Sequence, residues 1–251
     1  MASNGKLFLH DHPVSSYAQK IRIALREKNI GFDSKHPLAL ALEDNGFKIF
    51  DSTVILGYLE DKFPEPPLLP NDPKERAIAR MIEELCDTQY EAVNWAYGEV
   101  EWCKRATGEL AEKLIKQVQH QTATILSWLS EKLGDKDYFN GDSFGYADLC
   151  VAPVLNRSVY YGFGPAEGTA LQRWHIRIQE RSSVKQTFAE MAEGAKTMSS
   201  GAMVTAFKDG SSKREYRDHR LEWMVKSGGI DVVLEGLNRN NIRFSWPDAA
   251  A

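Results

Sequence analysis

The chain has 251 residues, with 31 Lys and Arg against 35 Asp and Glu for a net charge of −4, and is 43% hydrophobic and 26% charged. That is the composition of a globular protein of one large domain or two ordinary ones, with no basic run to suit a nucleic-acid backbone and no apolar stretch near the roughly 20 residues of a membrane span. Cys86, Cys103 and Cys150 are an odd count without Cys-x-x-Cys spacing, which argues against a disulfide framework, a zinc site and a dithiol redox motif; the N-terminal MASNGKL lacks the apolar core of a signal peptide, so reduced cysteines in the cytosol are the expectation.

Residues 1–66 read as a small α/β unit. The apolar run 6–10 predicts a strand. In HPVSSYAQKIRIAL (12–25), Ala18, Ile21 and Leu25 recur at helical spacing, which predicts a helix over 15–29 that stops near Asn29 and Gly31. A second strand fits 30–35. Ala39–Leu42 and Phe47–Ile49–Phe50 flank Glu43-Asp44-Asn45-Gly46, and Asn-Gly between two apolar runs is a strong hairpin signal. A helix follows Ser52, with Ile55, Leu59 and Phe63 on one face. The stretch FPEPPLLPNDP (63–73) holds five prolines and reads as a linker, its core at 67–73.

Residues 74–197 read as all-helical, with helices at 74–103, 108–133, 146–161, 167–181 and 183–195. Residues 198–251 form an extension: a polar stretch, an amphipathic helix at 213–227 stopped by Gly228-Gly229, a short helix at 230–238, and an extended end at 242–246. Its content of Trp223, Met224, Val232, Leu234 and Trp246 is too apolar for a free tail, and the segment is expected to pack on the body of the protein.

Two junctions carry hydroxyls. Ser15, Ser16 and Tyr17 stand where the first strand runs into the first helix. From spacing alone Ser15 is a helix cap, as serine often is; the alternative is that it holds something that binds. Ser52 has the same double reading, as N-cap or as part of an anion site formed by free backbone N–H groups at a helix N-terminus.

Three motifs in order, HPVSSYAQKIRIALREKNI (12–30), FDSTVILGYLEDKFP (50–64) and FNGDSFGYADLCVAPVL (139–155), resemble those of the cytosolic glutathione S-transferases of the serine type. The first resembles the first-helix signature of that family. The second resembles the acidic-Ser-x-x-Ile stretch that opens its third helix. The third resembles its buried helix with an N-terminal capping box. The resemblance covers about residues 5 to 195. It implies a thioredoxin-like α/β domain followed by an all-α domain, here with a C-terminal extension. The sequence departs from the family in one place. Members carry a further helix and a Val-Pro pair between the second and third strands, whereas here Lys35-His36-Pro37-Leu38 runs almost directly into Ala39–Glu43.

The resemblance implies a cytoplasmic transferase of the detoxification type, with glutathione as cosubstrate, no metal, a small apolar electrophile as second substrate and a homodimer as the working form. Aligned on Lys20–Leu25, Ser15 falls on the thiol-activating serine, with Ser16 as the fallback and Tyr17 as a packing residue. Asp51 and Ser52 would hold the γ-glutamyl end. Tyr90, Trp95 and Tyr97 would line the second-substrate pocket, or else pack in the core. Asp148 would bond back to the backbone near Gly145 and serve folding, and His10 and His12, which flank the site in sequence, read as solvated loop residues or as proton donors to a leaving group. The extension would lie near the mouth of the pocket, or else pack at the dimer interface or on the outer face. Isomerase, lyase and dehalogenase reactions share the fold, as do non-catalytic binding proteins.

Overall fold

The computed structural model describes residues 7–35, 40–198, 204–205 and 218–242. Strand β1 (Leu7–His10) pairs in parallel with β2 (Phe32–Lys35) and antiparallel with β3 (Ala41–Asp44). β3 in turn pairs antiparallel with β4 (Phe47–Phe50), giving the order β2-β1-β3-β4. The hairpin turns at Asn45 and Gly46, with φ of 50° and 86°. Two consecutive positive φ values match the right-handed twist of the strands, and Asn and Gly tolerate them best. Leu7, Leu9, Leu42 and Ile49 turn one face of the sheet into the core.

Helix α1 (Ser16–Glu27) covers that face, with Ile21, Ile23, Ala24 and Leu25 fully buried. Each large aliphatic side chain there contributes about 1.5–3 kcal/mol by leaving water. Helix α2 (Ser52–Lys62) follows β4 and buries Ile55, Leu56 and Leu59. Lys28 Nζ, at the end of α1, donates to the carbonyls of Phe63 and Pro66 at 2.7 and 2.8 Å and pairs with Glu60. The proline-rich linker is thus tied to the first domain.

The helical domain comprises α3 (Pro73–Leu85), α4 (Glu91–Glu101), α5 (Gly108–Leu133), α6 (Tyr146–Tyr160), α7 (Ala170–Ile178) and α8 (Ser182–Met198). The single helix expected over 74–103 is two helices joined by a π-helical turn at Cys86–Tyr90. α6 is buried almost throughout, as its near-continuous apolar sequence requires. Asp148 fixes its start: Oδ2 accepts from Gly145 N at 2.9 Å, while Oδ1 accepts from Phe139 N at 2.9 Å and Trp174 Nε1 at 2.7 Å. Gly145 is needed for close approach, since a Cβ there would sit 2.8 Å from the carbonyl oxygen of Leu68 and 2.5 Å from the Asn140 side chain.

Polar residues of α1 join the two domains. Lys20 pairs with Glu83 and Asp87, Arg22 with Asp11 and Glu190, Arg26 with Glu190, and Glu27 with Arg181. Beyond α8, α9 (His219–Lys226) and α10 (Ile230–Asn238) pack on each other and leave Trp223, Val232, Leu234 and Leu237 exposed. The first part of the helix expected at 213–227 and all but the first residue of the extended end expected at 242–246 lie outside the described residues.

Candidate functional site

The strand registers decide where the site stands. His10, the last residue of β1, lies between Lys35, the last of β2, and Ala41, the first of β3. Phe50, the last of β4, lies beside Ala41. The loop from β1 into α1, the end of β2, the start of β3 and the step from β4 into α2 therefore share one edge of the sheet. Two helix N-termini face the same edge, each with backbone N–H groups that the helix itself cannot satisfy and with the positive end of a helix dipole.

Ser15 is the N-cap of α1, half-buried, with φ −67° and ψ 120°. Its Oγ accepts loosely from Ala18 N at 3.4 Å, so the hydroxyl proton is left to donate. The Ser16 hydroxyl is buried, which makes Ser15 the accessible serine of the pair. Tyr17 is half-buried and donates to the carbonyl of Asp87 at 2.7 Å. The Nδ1 of His12 accepts from Val14 N at 3.3 Å, and His10 Nε2 lies 3.3 Å from Glu43.

At α2 the reading of the cap is corrected. Asp51, not Ser52, caps the helix: its Oδ1 accepts from Thr53 N at 2.9 Å and Val54 N at 3.2 Å. Asp51 has φ of 71°, a left-handed conformation that is uncommon for a residue with a side chain and that recurs at functional positions. Ser52 is the first helical residue and is 5% exposed. Two of the N–H groups that an anion would use are thus already taken by the protein's own carboxylate.

Asp87, which no sequence signal singled out, comes to the same place from the helical domain. Its carboxylate accepts from Lys20 Nζ and from Thr53 Oγ1, the latter at 3.3 Å. Burial, with Glu83 nearby, pushes its pKa up to about 6 against the pull of Lys20. The π-helical turn carries Asp87, and such turns are often found at functional sites.

The three aromatics expected to line a pocket part company. Tyr90 has no exposed surface; it is a core residue, and burial raises its pKa. Trp95 and Tyr97 are half-buried. The Tyr97 ring lies 4.6 Å from that of Tyr161 and 4.9 Å from that of Phe163. Trp102, also on this stretch, meets Tyr161 at 5.2 Å. Among the described residues there is no group of three or more His, Cys, Asp and Glu side chains that could hold a metal ion, and no helix long and apolar enough to cross a membrane.

Comparison with known proteins gives the same answer from several directions. The model of the glutathione S-transferase C-terminal domain matches residues 85–182. Glutathione S-transferase U25 of Arabidopsis thaliana is 30% identical over 209 residues, covering 74% of this chain and 90% of that protein. A stringent starvation protein A homolog of Coxiella burnetii is 27% identical over 208 residues, covering 76% and 95%. Rice GST1 in complex with glutathione superposes with a TM-score of 0.60 at 26% identity, over 72% of this chain and 91% of that one. The two-domain fold, the motifs at both helix N-termini and these relatives agree, and the chain belongs to the glutathione S-transferase family.

Proposed function

We propose that the protein is a glutathione-dependent transferase in which the Ser15 hydroxyl stabilises the thiolate for attack on a small apolar electrophile. The observation that carries this reading is the placement of Ser15: a half-buried hydroxyl whose oxygen caps α1, whose proton is left to donate, and which stands at the positive end of that helix. Glutathione supplies a thiol that, near its ordinary pKa of about 8.5, is only a few per cent ionised at neutral pH. A hydrogen bond from Ser15 and the helix dipole both favour the anion, each by about 0.3–1 kcal/mol or somewhat more.

The rest of the edge fits the same tripeptide. At the N-terminus of α2, where Asp51 already takes the N–H groups of Thr53 and Val54, the positive end of the helix dipole and Ser52 are left to favour a carboxylate, and the exposed Asp51 suits an ammonium group. Trp95 and Tyr97 remain as candidates for contact with the electrophile. Conjugation is favoured over isomerase, lyase or dehalogenase chemistry only as the simplest use of the thiolate. The protein is further proposed to act in the cytoplasm, in detoxification, as a homodimer. Phe47, Phe50 and Val54 on the first domain and Ile78 and Met81 on α3 are exposed apolar residues that support self-association. Residues 198–251 are proposed to meet the body near the second-substrate pocket through the exposed Trp223, Val232, Leu234 and Leu237; unchanged selectivity after truncation at Lys196 would remove that idea.

Titration calorimetry with glutathione, together with thiolate absorbance of the bound tripeptide against pH, tests the central reading. Binding with a thiol pKa one to two units below that of the free thiol is the expected result. A second reading, a non-catalytic binding protein on the same scaffold, draws on the five-residue connection 36–40 between β2 and β3; binding with an unshifted thiol would favour it.

A further inference from the structure

We infer that Arg157, held by Glu91, is a positioning residue for the Ser15 hydroxyl, reaching from the helical domain into the loop of the first domain; the inference rests on the transferase reading above. Arg157 Nη2 donates to the carbonyl oxygen of Val14, and Nη1 donates to Glu91 Oε1 at 2.9 Å. Both side chains are more than nine-tenths buried, 6% and 8% exposed. A guanidinium in such a place needs a counter-charge, and Glu91 supplies it.

The bonded carbonyl belongs to the peptide unit that ends at the Ser15 nitrogen. That nitrogen donates to the carbonyl of His12 at 2.9 Å. A planar peptide unit gripped at its oxygen by α6 and at its nitrogen by its own loop has no rotation left about its long axis. Gln19 Nε2 adds a bond to the same Val14 oxygen at 3.3 Å. α8 also closes on the loop at Gly194, where a Cβ would come within 2.9 Å of Val14 Cγ2 and 3.2 Å of Pro13 Cγ. The backbone that leads into Ser15 is thus held by contacts from both α6 and α8.

Thiolate stabilisation depends on where the hydroxyl stands, and a displacement of about 1 Å can cost a hundredfold in rate. An interdomain tie of purely structural use would not need to end on the carbonyl next to Ser15. Fixing the peptide before the cap makes the hydroxyl position a property of the helical domain as well as of α1.

The test compares wild type with R157K and with the charge-neutral double variant R157M/E91Q, which leaves no buried charge unpaired. Three readouts are used: kcat and KM with 1-chloro-2,4-dinitrobenzene, thiolate absorbance of bound glutathione against pH, and hydrogen exchange of the Ser15 amide. In R157M/E91Q we expect kcat to fall about tenfold with KM for glutathione within about twofold, and the bound thiol to titrate about half a unit higher or more. The Ser15 amide should exchange at least about tenfold faster, with the centre of α5 unchanged. R157K, which keeps a donor, should recover part of each. A double variant that folds and matches wild type in thiol titration and Ser15 exchange overturns the inference. If wild type itself does not bind glutathione, the transferase reading falls, and the exchange measurement alone decides: faster exchange supports the positioning role and unchanged exchange overturns it.

Discussion

The Ser15 hydroxyl oxygen and the Ala18 backbone nitrogen stand 3.4 Å apart, a loose N-cap bond that occupies the oxygen and spares the proton. One side chain thereby starts a helix and remains a donor, so the two roles considered for Ser15 are compatible. Replacing it by alanine removes both. Ser15→Ala should lower turnover with a general electrophile by about ten- to a hundredfold, equivalent to about 1.4–2.7 kcal/mol of barrier, and should cost about 0.5–1 kcal/mol of stability through the cap. Steady-state kinetics and urea titration measure the two separately. Full activity in Ser15→Ala together with its loss in Ser16→Ala would move the role by one residue.

Asp51 and Ser52 can be separated because only one of them caps α2. Asp51→Ala should cost about 1 kcal/mol of stability by exposing the N–H groups of Thr53 and Val54. Ser52→Ala should leave the cap intact and act on glutathione affinity. Calorimetry and thermal melting on both variants check this. A Ser52→Ala protein with wild-type affinity would take that residue out of the site.

Gly145 tests how tightly the linker is seated. Tyr146 N donates to the Leu68 carbonyl at 2.8 Å, and the same carbonyl oxygen would lie only 2.8 Å from a Cβ on Gly145. Gly145→Ser offers a better capping side chain, yet it should destabilise by about 1–3 kcal/mol because the backbone and Asn140 must move apart. A serine variant as stable as wild type in urea would show that the approach of linker and α6 is not tight.

His175 should make the protein sensitive to acid. Burial lowers its pKa to about 4; Nε2 lies 3.2 Å from Asn156 Oδ1 and Nδ1 lies 3.3 Å from Gln179 Nε2, which suits the neutral ring. Between about pH 6.5 and 4 the unfolded chain carries this proton and the folded one does not. The unfolded state therefore binds more protons, and stability falls as pH drops through that window, by up to about 3 kcal/mol. Asp148, pushed up to about 6 by burial, acts in the opposite sense, since the folded state takes up its proton first. The measurement is thus a difference: unfolding free energy of wild type minus that of His175→Gln should become steadily less favourable to wild type from pH 6.5 to 4. A difference independent of pH would refute the assignment.

The elements that the sequence alone determined are those written in contiguous spacing. Asn45-Gly46 between two apolar runs set the hairpin, the five prolines of 63–73 kept the chain out of helix and strand between Lys62 and Pro73, and the apolar period of 108–133 set α5 to the residue. Ser15 was legible for the same reason, since a cap and the helix it starts are neighbours in the chain. Other features had no local signature. The choice of Asp51 over Ser52 as cap lies in a φ of 71°, which no residue type announces. The π-helical turn that carries Asp87 interrupts a pattern that reads as one helix, and Tyr90 on the same turn is withdrawn into the core because α6 packs over it. Arg157 and Val14 are 143 positions apart. Their contact exists because α1 and α6 pack together, and a buried guanidinium can be told from a solvated one only when the surface that covers it is known. Helix and turn preferences act over a few residues, so they fix elements; which polar groups are deprived of water and must find partners is settled by tertiary packing.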